Sequence, residues 1–169
     1  MGNQGSFECL RCATCCRNLH ENKAGVLRGL TLTEREKHLF PPQMISPKLA
    51  VGENGPTKVI LHQLNVNCCP HVTAENVCPI YEKRPLMCMS FPMVAGAISN
   101  RCHIFSYRKI GMLYSEPYHM KEQLEASEKL TKHIENSVRK NHRKGLVLWE
   151  YDLNTKKWHY VTRYNSPSE

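Results

Sequence analysis

The sequence has no uninterrupted apolar run of the roughly eighteen residues that a membrane-spanning helix requires, so no helical span is expected. Its first twenty residues, MGNQGSFECLRCATCCRNLH, lack the apolar stretch of an export signal, which points to the cytoplasm. There is no phosphate-cradling glycine loop, no Ser-His-Asp arrangement and no glycine motif for S-adenosylmethionine. Nothing apart from the cysteines points to an enzyme, and a metal centre would be the one credible reactive group.

What the chain does have is nine cysteines in 169 residues, below the density of small disulfide scaffolds. An odd count argues against a secreted disulfide framework. In a reducing compartment, clustered thiols are more often metal ligands or catalysts than disulfides. The formal charge of +8 counts every cysteine as neutral, whereas metal-bound thiols are thiolates. Two zinc sites of four thiolates each would cut the excess to roughly +4, which calls for no nucleic-acid partner.

The length suits a single domain over residues 1–169, with a Cys-rich metal-binding part over 1–110 and a helix plus β-hairpin over 111–169. The fold class expected is a small α+β domain. Residues 1–20 read as a loop wrapped round a ligand. Thr33, three residues before Glu36, predicts a capping box and a short helix over 34–40, ended by Pro41 and Pro42. Residues 41–56 read as a connection and 58–64 as a strand. Residues 69–92 read as compact and irregular with a helical turn over 80–84, and 93–114 as strand-rich. A long helix is expected from near Pro117, capped by Ser115 and stopped by Gly145, with Leu124, Ser127, Leu130, Ile134 and Val138 as its buried stripe. Alternation through 146–151 and 158–164 about Asp152-Leu153-Asn154-Thr155 predicts a β-hairpin, and 165–169 an unstructured end.

The first motif is Cys9-x-x-Cys12-x-x-Cys15-Cys16, whose spacing lets a tight loop bring successive sulfurs to one ion, as in ferredoxin runs. On extended backbone, neighbouring side chains point to opposite faces, so Cys16 would face a second centre. Cys69, Cys78, Cys88 and Cys102 would then complete two four-sulfur sites, or supply one cluster and leave a redox-active remainder. Spacing leaves both open.

The second motif runs Cys78-Pro79-Ile80-Tyr81-Glu82-Lys83-Arg84-Pro85-Leu86-Met87-Cys88-Met89-Ser90-Phe91-Pro92. With it, the chain resembles the YkgJ-like cysteine-cluster family, whose members are described as zinc- or iron-chelating. The family signature is C-x2-C-x2-C-C, then C-P, then C-x-I-Y-x-x-R-P-x-x-C-x-x-F-P, and the resemblance covers Cys9 to about Cys102. It implies a metal-ligand set of Cys9, Cys12, Cys15, Cys16, Cys69, Cys78, Cys88 and Cys102, with Cys68 left over. Met89 stands where the family often has Arg, and Cys102 lies outside the tight signature. A flagellin lysine N-methylase branch shares the domain, so the resemblance implies metal binding and leaves the reaction open.

The neighbouring residues carry two readings each. Arg84 would hydrogen-bond cluster sulfur and offset its charge, or hold a loop carbonyl. Tyr81, Met87, Met89, Phe91 and Met93 would form a dry shell, although such residues are usually plain core. His71 and His103 beside motif cysteines are more often structural than ligating. The run Arg139 to Lys144 suits a helix C-terminus better than nucleic acid. Cys68 is a reactive thiol or a buried inert one.

The expected cofactor is an iron–sulfur cluster of the four-iron, four-sulfur type, serving electron transfer or modification of a partner protein. Structural zinc in a module that binds protein or nucleic acid is the rival reading. A thiol–disulfide oxidoreductase using Cys9 and Cys12, or Cys12 and Cys15, would leave the other thiols without a purpose. The expected partner or substrate is a protein, rather than nucleic acid or membrane.

Overall fold

The computed structural model describes residues 7, 9–94, 97–105, 120–141 and 147–161. Its elements in chain order are α1 (Thr14–Arg17), β1 (Glu21–Lys23), β2 (Val26–Arg28), β3 (Thr31–Leu32), β4 (Ile45–Gly52), β5 (Lys58–Leu64), α2 (Leu86–Ser90), β6 (Met93–Val94), β7 (Ala97–Ile98), α3 (Lys121–Asn141), β8 (Val147–Asp152) and β9 (Lys157–Tyr160). Turns of 3-10 helix occupy Glu34–Leu39, Pro42–Met44 and Tyr81–Lys83. The fold is α+β, as expected.

The capping box at Thr33 forms, with the Thr33 amide donating to Glu36 Oε2 at 2.8 Å. The helix it starts is 3-10 rather than α. Pro41 drives Phe40 into extended backbone and ends it. The connection expected over 41–56 is instead largely strand: β4 is the central strand of a five-stranded antiparallel sheet ordered β3-β5-β4-β8-β9. Pro47 is accommodated because β8 pairs with Leu49 to Gly52 and not with Pro47, and the register with β5 shifts on either side of Leu49. A proline without an amide donor is tolerated at such an irregularity.

The hairpin forms as expected, with Trp149 opposite Tyr160 and Tyr151 opposite Trp158 in edge-to-face contact. Asp152 is buried at its turn, where its carboxylate accepts from the Leu27 and Asn154 amides and the Thr155 hydroxyl. These bonds, the Thr155 hydroxyl first, hold its pKa at about 2. The long helix is α3, but its buried stripe is Gln123, Ala126, Ser127, Leu130 and Val138, while Leu124 is 43% exposed. A 3.6-residue period running back from Val138 through Leu130 reaches Gln123, about 100° from Leu124. Ser115, Pro117, Gly145 and 165–169 lie outside the described residues, as does all of 106–119. Within 93–105, strand is limited to the two-residue pairs β6 and β7.

The chain groups into two compact units, each built from two stretches: 1–18 with 68–132, and 19–67 with 133–169. Strand β4 pairs with β5 on one flank and β8 on the other. In the sheet unit, Val51, Ile60 and Val138 form a core with Leu49, Ile134 and Leu148. Arg28 and Glu150 make a bidentate pair. Gly29 is required where it stands, since a Cβ there would lie 1.8 Å from the Leu64 carbonyl oxygen. In the cysteine unit, Met93, Phe105 and Met120 form a small core with Phe7, Ile98, Cys102 and Ile104.

Candidate metal centre

All nine cysteines stand as free thiols. Cys9 and Cys12 are exposed in a loop whose Arg11 and Ala13 adopt left-handed backbone at φ 51° and 57°. These residues turn the chain tightly into α1, which carries Cys15 and Cys16. The extended backbone assumed for this pair is replaced by a helical turn, where successive side chains diverge by about 100° instead of 180°. Their sulfurs therefore sit 3.9 Å apart.

The Cys15–Cys16 contact polarises both groups. Cys15 accepts the Cys16 proton, which lowers the Cys15 pKa to about 7, and the donated proton holds Cys16 far above its usual range. Burial and the neighbouring Cys15, Cys88 and Cys69 push Cys16 in the same direction. Burial also raises Cys88, reinforced by Cys69, Cys15 and Cys78 and opposed by Arg84. Cys69 is raised by burial and then by Cys78, and Cys102 by burial and then by Cys15 and Cys9. Cys15, Cys16, Cys69, Cys78 and Cys88 thus form one electrostatic neighbourhood, to which Cys102 connects through Cys15, and Cys9 through Cys102. Burial and the neighbouring sulfurs raise Cys16, Cys69, Cys88 and Cys102, while Cys15 is lowered.

A second regularity concerns the sulfurs' own partners. The Arg11 amide donates to Cys9 Sγ at 3.4 Å. The His71 amide acts on the Cys69 thiol and the Ile104 amide on the Cys102 thiol, each lowering its pKa, while the Val72 and Phe105 amides donate to the Cys69 and Cys102 carbonyls at 3.3 and 2.9 Å. In all three segments the amide two residues after the cysteine points at its sulfur. Such donors do little for a neutral thiol but stabilise a thiolate. Among the described residues no group of three or more His, Cys, Asp or Glu side chains stands as a ready coordination cage. The donor chemistry nevertheless fits a thiophilic ion: soft sulfurs brought together with amides waiting for their negative charge.

Arg84 holds a loop carbonyl, as one of its two readings had it. It donates to the Tyr81 carbonyl at 2.5 Å, and its positive charge lowers Cys88. Its guanidinium also lies 3.8 Å from the Tyr81 ring centre, with Arg11 at 5.4 Å. Met93 belongs to the apolar core, the plain reading, while Met87, Met89 and Phe91 flank Cys88 half-buried. Cys68 is exposed and not buried. Sequence reasoning missed Arg11, Arg17 and Arg101, although Arg11 stands inside the first cysteine motif and Arg17 directly follows it. Arg17 donates to Asn76 and Thr73, and Arg101 to the Asn18 carbonyl.

A family model named CxxCxxCC and described as "Putative zinc- or iron-chelating domain" matches residues 8–133. No curated protein and no solved structure matches the chain. Among the described residues, no helix is long and apolar enough to cross a membrane.

Proposed function

The chain belongs to the CxxCxxCC family of zinc- or iron-chelating domains, and from that premise we propose that its metal is iron in a four-iron, four-sulfur cluster that serves electron transfer or the modification of a partner protein. Such a cluster takes four cysteine thiolates, drawn here from Cys9, Cys12, Cys15, Cys16, Cys69, Cys78, Cys88 and Cys102, so the eight serve either two metal sites or one cluster with a remainder of free thiols. The observation that carries this reading is the recurrence of a backbone amide aimed at the sulfur two residues earlier, in the segments of Cys9, Cys69 and Cys102. Hydrogen bonds to sulfur are among the features that set a cluster's reduction potential. The half-buried Met87, Met89 and Phe91 beside Cys88 favour a cluster over a solvated zinc site. When bound, the cluster supplies one-electron chemistry. The protein's own groups hold the thiolates, neutralise their charge through Arg84 and limit access of water.

The test is an ultraviolet–visible spectrum of protein purified without oxygen, together with iron, sulfide and zinc analysis. A broad band near about 400 nm with matching iron and sulfide is expected. A colourless protein holding one or two zinc ions per chain would replace this reading with a structural zinc module.

A further inference from the structure

We infer that Arg17 and Arg11 are positioning residues that clamp the first cysteine run onto the second, so that losing either weakens metal binding while the chain stays folded. The inference rests on the metal-binding reading above.

The first run cannot hold its own shape. α1 is a single turn of four residues with no side-chain cap and no buried residue, and an isolated turn of this length is unfavourable. One backbone bond, from the Cys69 amide to the Cys16 carbonyl at 2.7 Å, ties it to the second run. Ahead of the run, Phe7 stacks on Phe105, and arginines make further ties. Arg17 follows Cys16 directly and spreads its fork over Asn76 Oδ1 at 2.5 Å and the Thr73 carbonyl at 3.2 Å. Both acceptors belong to one closed turn, in which the Asn76 amide reaches the Thr73 carbonyl and the Val77 amide reaches Thr73 Oγ1. Asn76 holds the left-handed backbone of that turn at φ 64°, and the turn delivers Cys78.

Arg11 makes the second clamp. It lies between Cys9 and Cys12 and places its guanidinium against Tyr81, which lies between Cys78 and Cys88. Arg84 stacks on the same ring, so Tyr81 joins a residue from each run. Arg101, donating to the Asn18 carbonyl, adds a third strap. These bonds are mostly exposed, and exposed polar contacts add little to global stability. Their effect falls on where the sulfurs sit. Residues that orient metal ligands typically change affinity by roughly ten- to a hundredfold when removed.

The test is an oxygen-free Co2+ titration of the reduced, metal-stripped full chain, reading the dissociation constant and the thiolate-to-cobalt charge-transfer band, with circular dichroism on the same samples. Arg17→Ala and Tyr81→Leu are each expected to weaken Co2+ binding by roughly ten- to a hundredfold and to diminish the band, while the far-ultraviolet spectrum is kept. Arg17→Lys should fall between, because an ammonium lacks the planar fork that spans both acceptors. Asn76→Gly preserves the left-handed backbone and deletes only the acceptor, so it decides the matter if Arg17→Ala fails to fold. Wild-type affinity and band intensity in both Asn76→Gly and a folded Arg17→Ala would overturn the inference. Failure of the wild-type chain to take up Co2+ would instead overturn the metal-binding reading itself.

Discussion

Lys48 shows how one side chain can work against the fold that encloses it. Burial lowers its pKa to about 8, with Arg28 pulling the same way and Glu150 and Glu21 resisting. The single hydrogen bond recorded for its ammonium runs to the Gly29 carbonyl at 3.2 Å. An amine whose pKa falls from about 10.4 on folding binds protons more weakly in the folded chain, so stability rises with pH between about 8 and 10.4. Lys48→Met should therefore be more stable than wild type at pH 7, by at most about 3 kcal/mol because the residue keeps some surface exposure. Thermal melts across pH should show this advantage shrinking above about pH 8. An advantage independent of pH would mean that Lys48 stays charged throughout.

Among the elements, the sheet depends on a polar residue that hydropathy alone would put at the surface. Gln63 of β5 is fully buried. Its Oε1 accepts from the Gly29 amide at 2.8 Å, and its Nε2 donates to the Pro47 and Tyr151 carbonyls. It thereby satisfies groups around the irregular stretch of β4, where proline breaks the ladder. Gln63→Leu would leave those groups without partners and should cost roughly 2–4 kcal/mol, seen as a lower midpoint in denaturant at unchanged slope. The same region marks the limit of what the sequence disclosed. β5, the capping box and the hairpin were legible because local chemistry and tertiary packing agree there. β4 was not, because Pro47, Gly52 and the polar residues around them read as a loop until the pairing with β5 and β8 is known. Leu124 misled for a related reason: its apolarity suggested burial, whereas the phase of the helix is set by Leu130 and Val138.

For the whole molecule, the described residues of the cysteine unit form a small apolar core at Met93, Phe105 and Met120, so metal binding should contribute much of the unit's folding free energy. Cys88→Ser and Cys12→Ser are each expected to lose metal, measured per chain by elemental analysis, and to speed amide exchange over 9–18 and 68–105. Both variants staying folded with full metal content would rule out their role as ligands. The two cysteine motifs were legible in the sequence, yet the arginine contacts between them were not. Arg17 and Asn76 lie 59 positions apart, and no local pattern announces such a partner.

Each unit is assembled from two separated stretches of chain, and this imposes an order on synthesis. A ribosome that has just added Phe105 has made every cysteine, but it has not yet made β8, the strand that flanks β4. At about 5–20 residues per second, the chain spends several seconds in that condition. For that interval the nascent polypeptide carries every cysteine while β4 still lacks one of its two partner strands, a condition that ends when β8 is made.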